Sequence, residues 1–181
     1  MKTATILILI SLSLFAQNLV TTNHWTAQVD EYGSSLDTTG GLIKNGQITI
    51  GFTLAKMKSE DQWPYIELIG SLKNGLQGVK AIEVTYQCPK NIHVKLSQPD
   101  FGWEGDESYA HYQSTLPASP KAFKTVALPI SGFAQPDWAP KSALTIPLKL
   151  ADIAALYFTP VLNEKTGEST VLKIKSVKLI K

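Results

Sequence analysis

The chain has 181 residues, of which 44% are hydrophobic and 18% charged, and its formal net charge is +2 at pH 7. Every basic residue is a lysine, whereas nucleic-acid recognition relies on the bidentate contacts of arginine, so we expect no nucleic-acid partner. The single cysteine, Cys88, excludes an intramolecular disulfide. Its phase in an alternating apolar pattern predicts a buried, unreactive thiol.

The N-terminal segment, residues 1–16, has the layout of a secretory signal peptide. A positively charged start precedes an apolar run that ends at Phe15, and Ala16 is a small residue suited to cleavage. The run is too short for a stable transmembrane span, so we expect a secreted or periplasmic protein without membrane insertion. Residues 17–24 are then a short polar leader, and residues 25–181 form a single domain that we expect to be monomeric.

Alternation of apolar and polar residues with a period of two dominates the domain and predicts β-strands. The clearest runs are "QITIGFTLAK", "KAIEVTYQC" and "NIHVKLSQ", and the short connection "PKN" between the last two predicts an antiparallel hairpin. Further candidate strands are "YIELIGSL", "SYAHYQSTL", "FKTVALPI", "ALYFTPVL" and "TVLKIKSVKLI". Only "LKLADIAAL" is suited to a short helical turn. The pattern predicts an all-β antiparallel sandwich with short helical turns only.

Two candidate strands carry polar side chains on one face. His93, Lys95 and Ser97 alternate along one strand, and Tyr109, His111 and Gln113 alternate along the next candidate strand. These residues form the floor of a groove if their strands belong to the concave sheet, and they are merely solvated if the strands belong to the convex sheet. The sequence leaves both placements open.

The order of the longer motifs resembles that of a known family. "PYIELIGSLKNGLQGVKAIEVTYQ" is followed by "GDESYAHYQ", "FKTVALPISGFAQPDWAP", "LKLADIAALYF" and "TVLKIKSVKLI". This succession, from Trp25 to the C-terminus, resembles the family 11 carbohydrate-binding modules and the related galactose-binding-like jelly rolls. The resemblance implies a jelly-roll sandwich that binds a β-glucan or cellulose-like polysaccharide without catalysis. The ligand would lie in a cleft on the concave sheet, lined by aromatic and acidic side chains.

The resemblance also assigns individual positions. A family aromatic residue near the start of a strand falls on Trp63, and a ligand-binding Asp falls on Asp106. An adjacent Asp-Tyr pair falls on Asp137 and Trp138, while the family's arginine contact is absent and Gln135 is the nearest polar substitute. The chain departs from a further family strand at Ala154, Ala155 and Pro160. These departures leave open a different glycan, weaker binding or no binding.

Tryptophan beside a carboxylate suits a sugar ring, because the indole covers the apolar ring face and the carboxylate reaches the hydroxyls at the edge. The chain has three such units, formed by Asp137 with Trp138, by Asp61 with Trp63, and by Trp103 among Asp100, Glu104 and Asp106. Tryptophans can instead close the ends of a sandwich, and we expect this of Trp25. We expect Trp138, which lies between two prolines, to be displayed; Trp63 and Trp103 remain open. The candidate ligand-binding residues are Trp138, Asp137, Trp63, Asp106, Gln135, Trp103, His93 and His111.

Three alternatives accompany this prediction. The acidic loop "DFGWEGDES" is compatible with a structural Ca²⁺ ion or with a solvated turn, and no cofactor is required for binding. A glycan-active enzyme needs two carboxylates across a cleft, for which Asp106 and Asp137 are the candidates. A structural or assembly protein of the cell envelope would use the same sandwich without binding glycan.

Overall fold

A computed structural model describes residues 17–59 and 62–181 of the chain. This part contains eleven strands: β1 (Trp25–Val29), β2 (Ser35–Asp37), β3 (Ile43–Lys44), β4 (Gln47–Leu54), β5 (Ile66–Ser71), β6 (Ala81–Cys88), β7 (Ile92–Ser97), β8 (Gln113–Leu116), β9 (Ser119–Pro129), β10 (Ala155–Pro160) and β11 (Glu168–Ile180). The helical elements are α1 (Leu19–Thr22) and four short 3-10 turns, at Pro99–Phe101, Ile130–Gly132, Ala143–Thr145 and Leu150–Asp152. The predicted signal peptide and Asp61 lie outside the described residues.

The strands form two sheets, and neighbouring strands within each sheet are paired antiparallel. Sheet A has the order β1-β5-β10-β7-β8, and sheet B has the order β2-β4-β11-β6-β9 with β3 paired to β4. The predicted all-β sandwich with short helical turns is therefore confirmed. None of the helices in residues 17–59 and 62–181 has the length and apolar character needed to cross a membrane.

The core lies between the two sheets and follows directly from the alternation in the sequence. In β4, Ile48, Ile50 and Phe52 are buried while the intervening threonines are exposed. Burying such side chains is worth about 1.5–3 kcal/mol each, which is the main force holding the sheets together. The predicted burial of Cys88 is confirmed, and burial raises the pKa of its thiol, which disfavours the reactive thiolate.

The hairpin predicted between β6 and β7 is wrong. β6 lies in sheet B between β11 and β9, whereas β7 lies in sheet A between β10 and β8. Residues 89–91 carry the chain across the sandwich, so that Tyr86 of β6 and Val94 of β7 enter one core from opposite sheets. Alternation specifies which face of a strand is buried, but it does not specify the neighbouring strand.

The segment expected to be a polar leader, residues 17–24, is instead packed on the domain. Leu19 and Val20 of α1 are buried in the core. The indole nitrogen of Trp25 donates to the Leu19 carbonyl at 2.9 Å, and Trp25 is only 6% exposed, as predicted for this tryptophan. Gly70 makes room for the ring, because a Cβ at this position would lie 2.7 Å from its Cη2 atom.

Candidate functional site

The two outer faces of the sandwich differ in their aromatic content. Among the described residues, the exposed large aromatics all lie in loops that enter or leave strands of sheet A: Trp63, Tyr65, Trp103, Tyr109 and Trp138. On the outer face of sheet B, the Thr85 and Thr125 hydroxyls pair at 2.9 Å, and the one aromatic ring among these contacts, that of Phe123, is half-buried and covered by Lys175 Nζ, 4.1 Å from the ring centroid. The outer face of sheet A, here called the A face, is therefore the candidate binding surface.

An ion pair and a tyrosine occupy the centre of the A face. Tyr157 of β10 lies in register with Lys95 of β7, and Lys95 Nζ crosses β10 to reach Glu67 Oε1 of β5 at 2.7 Å. The Ser97 hydroxyl donates to the Tyr157 hydroxyl at 3.0 Å. Burial raises the pKa of Tyr157, with the Ser97 hydrogen bond acting in the opposite direction and Glu67 adding to the increase. The phenol therefore stays protonated at neutral pH, and its hydrogen is available to a ligand acceptor.

Tyr65 is fixed at the end of the A face where β5 begins. The buried carboxylate of Asp30 accepts the backbone N–H of Tyr65 at 2.7 Å and that of Tyr32 at 2.6 Å. Burial raises the pKa of Asp30, but the hydrogen bonds from Ser34, Tyr65 and Tyr32 outweigh this and leave it lowered. The charged carboxylate thus holds the loop that presents Tyr65.

A tightly bonded loop between β7 and β8 presents Trp103 and Tyr109. Glu107 and Tyr109 both have left-handed backbone conformations, with φ of 54° and 53°, which are unfavourable for residues with side chains. The Tyr109 N–H donates to the Phe101 carbonyl at 2.6 Å. A Cβ at position 105 would clash with the backbone of Asp100, so only glycine fits there. The strand predicted from residue 108 consequently begins only at Gln113.

The loop before β10 displays Trp138, as predicted. Trp138 is 63% exposed, whereas Pro136 is buried and accepts the Ala139 N–H at its carbonyl, 2.9 Å away. Asp137 is exposed beside the indole. The side-chain amide of Gln135 donates to the Ala143 carbonyl at 2.7 Å, so the contact that the structure shows for Gln135 is within the loop.

The predicted site residues occupy opposite ends of the A face. The loops of Trp103, Asp106 and Trp138 come together where β7 ends and β10 begins, since Ser97 pairs with Ala155 and Gln113 bridges to Ala134. Trp63 precedes Ile66, the first residue of β5, and therefore lies at the other end of the sheet. Between the two ends are the central ion pair and His93, whose Nδ1 contacts the Thr115 hydroxyl at 3.1 Å. The candidates line one face from end to end and do not gather in one pocket.

His111 differs from the prediction that it is an outward groove residue. It is only 4% exposed, and its ring packs edge-on against Tyr157 with ring centroids 5.6 Å apart. Burial, followed by the positive charge of Lys95, lowers the pKa of His111 to about 4, while Asp106 acts in the opposite direction. The imidazole is therefore neutral at physiological pH and supports the face from beneath.

Sequence reasoning missed Tyr157, Glu67 and Tyr65 as site residues. Tyr157 carried a usable signal, because it is the outward residue between the inward Leu156 and Phe158. An aromatic residue at a solvent-facing position of a strand has no core to fill, and together with neighbouring exposed aromatic residues it indicates a candidate binding surface. Glu67 carried no comparable signal, since a charged residue at an outward position is ordinary.

Two carboxylates of the acidic loop are engaged within the protein. Both oxygens of Asp100 are engaged, one by Lys149 Nζ at 2.5 Å and the other by Gln98 Nε2 at 3.0 Å. Asp106 Oδ1 accepts the backbone N–H and the hydroxyl of Ser108. Residues 17–59 and 62–181 hold no group of three or more His, Cys, Asp or Glu side chains arranged for a metal ion.

The fold and its aromatic face define a β-sandwich with one candidate binding surface. Among solved structures, the family 11 carbohydrate-binding module from Clostridium thermocellum in complex with a β-1,3-1,4-mixed-linked tetrasaccharide is similar, with a TM-score of 0.59 and 19% identity over 86% of this chain and 88% of that one. The family 11 module of the cellulosomal cellulase Lic26A-Cel5E of the same organism gives a TM-score of 0.58 and 18% identity, over 93% of this chain and 90% of that one. The solution structure of CtCBM11 gives a TM-score of 0.55 and 17% identity, over 86% of this chain and 87% of that one.

At these identities the likeness shows a shared fold, so the resemblance to family 11 modules is confirmed at the level of the fold. No protein-family model matches the chain, and no curated protein matches it either.

Proposed function

We propose that this chain is an exported, non-catalytic module that binds a β-linked glucan, or a similar plant-type polysaccharide, along the A face. The observation that carries the proposal is the confinement of the exposed aromatic side chains to the loops around sheet A, with Tyr157 at its centre. The shared fold with family 11 modules supports a carbohydrate ligand. The composition of residues 1–16 supports export.

The chemistry of the face matches a neutral sugar chain. Aromatic rings cover the apolar faces of sugar rings, while the polar groups between them bond the hydroxyls at the ring edges. Lys95 donates, Glu67 accepts and the protonated Tyr157 hydroxyl does both, so each orientation of a sugar hydroxyl finds a partner. Because Lys95 and Glu67 already neutralise each other, a neutral ligand leaves no unpaired charge on the face.

The shape of the face favours an extended ligand. Aromatic side chains lie beyond both ends of the six-residue strand β5, which is about 20 Å long at the usual rise per residue. Trp63 lies at one end, and the loops of Trp103 and Trp138 lie at the other. A polysaccharide that runs between these ends contacts all of them, whereas a single sugar contacts one end only.

The face is less suited to the enzyme alternative. A glycosidase needs one carboxyl group that donates a proton and a second on the other side of the scissile bond. Glu67, the carboxylate at the centre of the A face, is held by Lys95 and is therefore not a free proton donor. Asp106 Oδ1 is held by two hydrogen bonds from Ser108.

Affinity electrophoresis tests the proposal. We expect the protein to be retarded in a gel that contains soluble mixed-linkage β-glucan, relative to a gel without it, and to sediment with insoluble cellulose. Tyr157→Ala should abolish the retardation, because it removes the central ring. Val171→Ala, an exposed position on the outer face of sheet B, should leave the retardation unchanged. Absence of retardation on every glucan tested, or release of reducing sugar ends, contradicts the proposal.

A further inference from the structure

His111 lies beneath the A face where three aromatic residues meet. Its ring centroid is 5.6 Å from that of Tyr157, 5.8 Å from that of Phe101 and 6.5 Å from that of Tyr109, and all three rings meet it edge-on. Phe101 comes from the 3-10 turn after β7, Tyr109 from the following loop and Tyr157 from β10. His111 is therefore the ring through which the exposed Tyr109 and the central Tyr157 are connected.

The orientation of the imidazole is set by a rigid neighbour. The backbone N–H of Gln98 donates to His111 Nδ1 at 3.4 Å, which leaves the hydrogen of the neutral ring on Nε2. Gln98 is itself fully buried, and its side chain is bonded at both ends. It donates to Asp100 and to the Pro147 carbonyl, and it accepts the N–H of Lys149.

The backbone beside this ring is strained and needs support. Tyr109 adopts a left-handed conformation that costs free energy and persists only where its surroundings enforce it. The backbone N–H of His111 donates to the backbone carbonyl of Tyr109 at 2.9 Å, and the imidazole contacts the Tyr109 ring. Both parts of His111 thus act on the residue that holds an exposed ring over the face.

We propose that His111 is a positioning residue of the binding face, whose neutral ring holds Tyr109 and Tyr157 in the arrangement that receives the glycan. This inference rests on the proposed function. His111 does not contact the ligand; it acts through the two tyrosines. Binding is then sensitive to protonation of His111, although the ligand itself is uncharged.

The groups around His111 explain this sensitivity. Lys95 of β7 acts on the imidazole with a positive charge and Asp106 of the acidic loop with a negative charge, and the rings of Phe101, Tyr109 and Tyr157 complete the surroundings. A proton on Nδ1 would point at the N–H of Gln98, so the two donors would oppose each other. Burial and Lys95 already place the pKa of His111 at about 4, which puts the loss of binding in the acidic range.

The test compares His111→Gln with His24→Gln, a matched control at an exposed histidine that precedes the edge strand β1. Mixed-linkage glucan affinity is measured between pH 7 and pH 3.5, a range that spans the pKa of His111, and the ring-proton resonances of Tyr109 and Tyr157 are recorded by NMR. We expect His111→Gln to lower the affinity at least tenfold at pH 7 and to shift both tyrosine resonances. The control should behave as the wild type. Wild-type affinity with unshifted tyrosine resonances in His111→Gln overturns the proposal.

A second variant separates positioning from folding. His111→Phe keeps a ring between the tyrosines, but this ring cannot be protonated. We therefore expect an affinity within threefold of the wild type at pH 7 and no loss of affinity in the pH range where His111 of the wild type is protonated. Wild-type protein that binds no glucan contradicts the proposed function alone, because the tyrosine resonances should still follow the titration of His111. Resonances that do not follow that titration contradict the positioning role, whether or not glucan binds.

Discussion

At the scale of single residues, the loop around Trp138 shows how an indole is displayed without a flexible support. The two prolines that flank it fix their own backbone angles, and one of them, Pro136, is buried while Trp138 is exposed. The amide of Gln135 ties the loop to Ala143. Little conformational entropy is then lost when a ligand covers the ring, because the loop is already ordered.

We predict that Trp138→Ala weakens binding of mixed-linkage glucan by about thirtyfold, since truncating a central aromatic anchor costs about 2 kcal/mol. Isothermal titration calorimetry measures the affinity, and thermal unfolding measures the stability. The melting temperature should hardly change, because the ring makes little contact with the core.

Trp25→Ala is the matched control at a buried tryptophan, where we expect a loss of about 3–5 kcal/mol in the free energy of unfolding. A Trp138→Ala variant that binds glucan normally but melts much earlier contradicts the display of this residue.

At the scale of elements, β11 contains a bulge whose backbone groups bond to Asn18, the residue that caps α1. The register of β11 against β6 shifts between Ile174 and Ser176, so one residue, Lys175, has no partner on β6. The side chain of Asn18 replaces the missing pairing, since it donates to the Lys175 carbonyl and accepts the Val177 N–H, both at 3.1 Å. The same side chain accepts the N–H of Val20 and caps α1.

We predict that Asn18→Ala lowers the free energy of unfolding by about 1–3 kcal/mol, because it leaves the Val177 N–H and a helix N-terminus without partners. Urea unfolding at pH 7 measures the change. Gln17→Ala, at the exposed neighbouring position, is the control and should have no effect. Equal stability of the two variants would show that water replaces the Asn18 contacts at no cost.

The elements also show where the sequence is informative and where it is not. Inward and outward residues followed from alternation, as in β4, and even the bulge is visible because the apolar phase changes between Ile174 and Val177. The partner of β6 was not predictable, since any strand with a buried face fits beside it. The loop before β8 was predicted as strand because Tyr109 and His111 alternate, whereas the close approach of Gly105 to Asp100 imposes a left-handed turn there.

At the scale of the whole molecule, the exposed aromatic side chains lie around the A face, whereas hydroxyl groups pair with one another on the outer face of sheet B. The displayed tryptophan was predictable from its prolines and its neighbouring Asp, and so was the fold class from the strand pattern. The end-to-end spacing of the site was not predictable, because it depends on strand order, and strand order depends on contacts far apart in the sequence. The Lys95–Glu67 ion pair is an example of a contact that depends on strand order, because it joins β7 to β5 across β10.

We predict that the stability of the whole domain falls as the pH is lowered from about 6.5 to about 4. The pKa of His111 is about 4 in the folded protein and 6.5 in the reference state, so the unfolded chain binds the proton first. This contribution is fully present above pH 6.5 and is lost as the pH falls toward 4, and it amounts to roughly 3 kcal/mol at most. The lowered pKa of His93, caused by burial and then by Lys95, acts in the same direction.

Urea unfolding at pH 7, 5.5 and 4.5 measures this dependence, and His111→Gln should flatten most of it. A wild-type stability that is constant or rises between pH 7 and pH 4.5 contradicts the prediction.

The order of the strands along the chain has a consequence for how the domain is made. The central strand of sheet A is β10 and that of sheet B is β11, and both belong to the last part of the sequence, residues 155–180. Until these residues emerge from the ribosome, neither sheet has the strand that joins its two halves. Neither sheet can therefore be completed before residues 155–180 have been synthesised, so the two sheets close late and together.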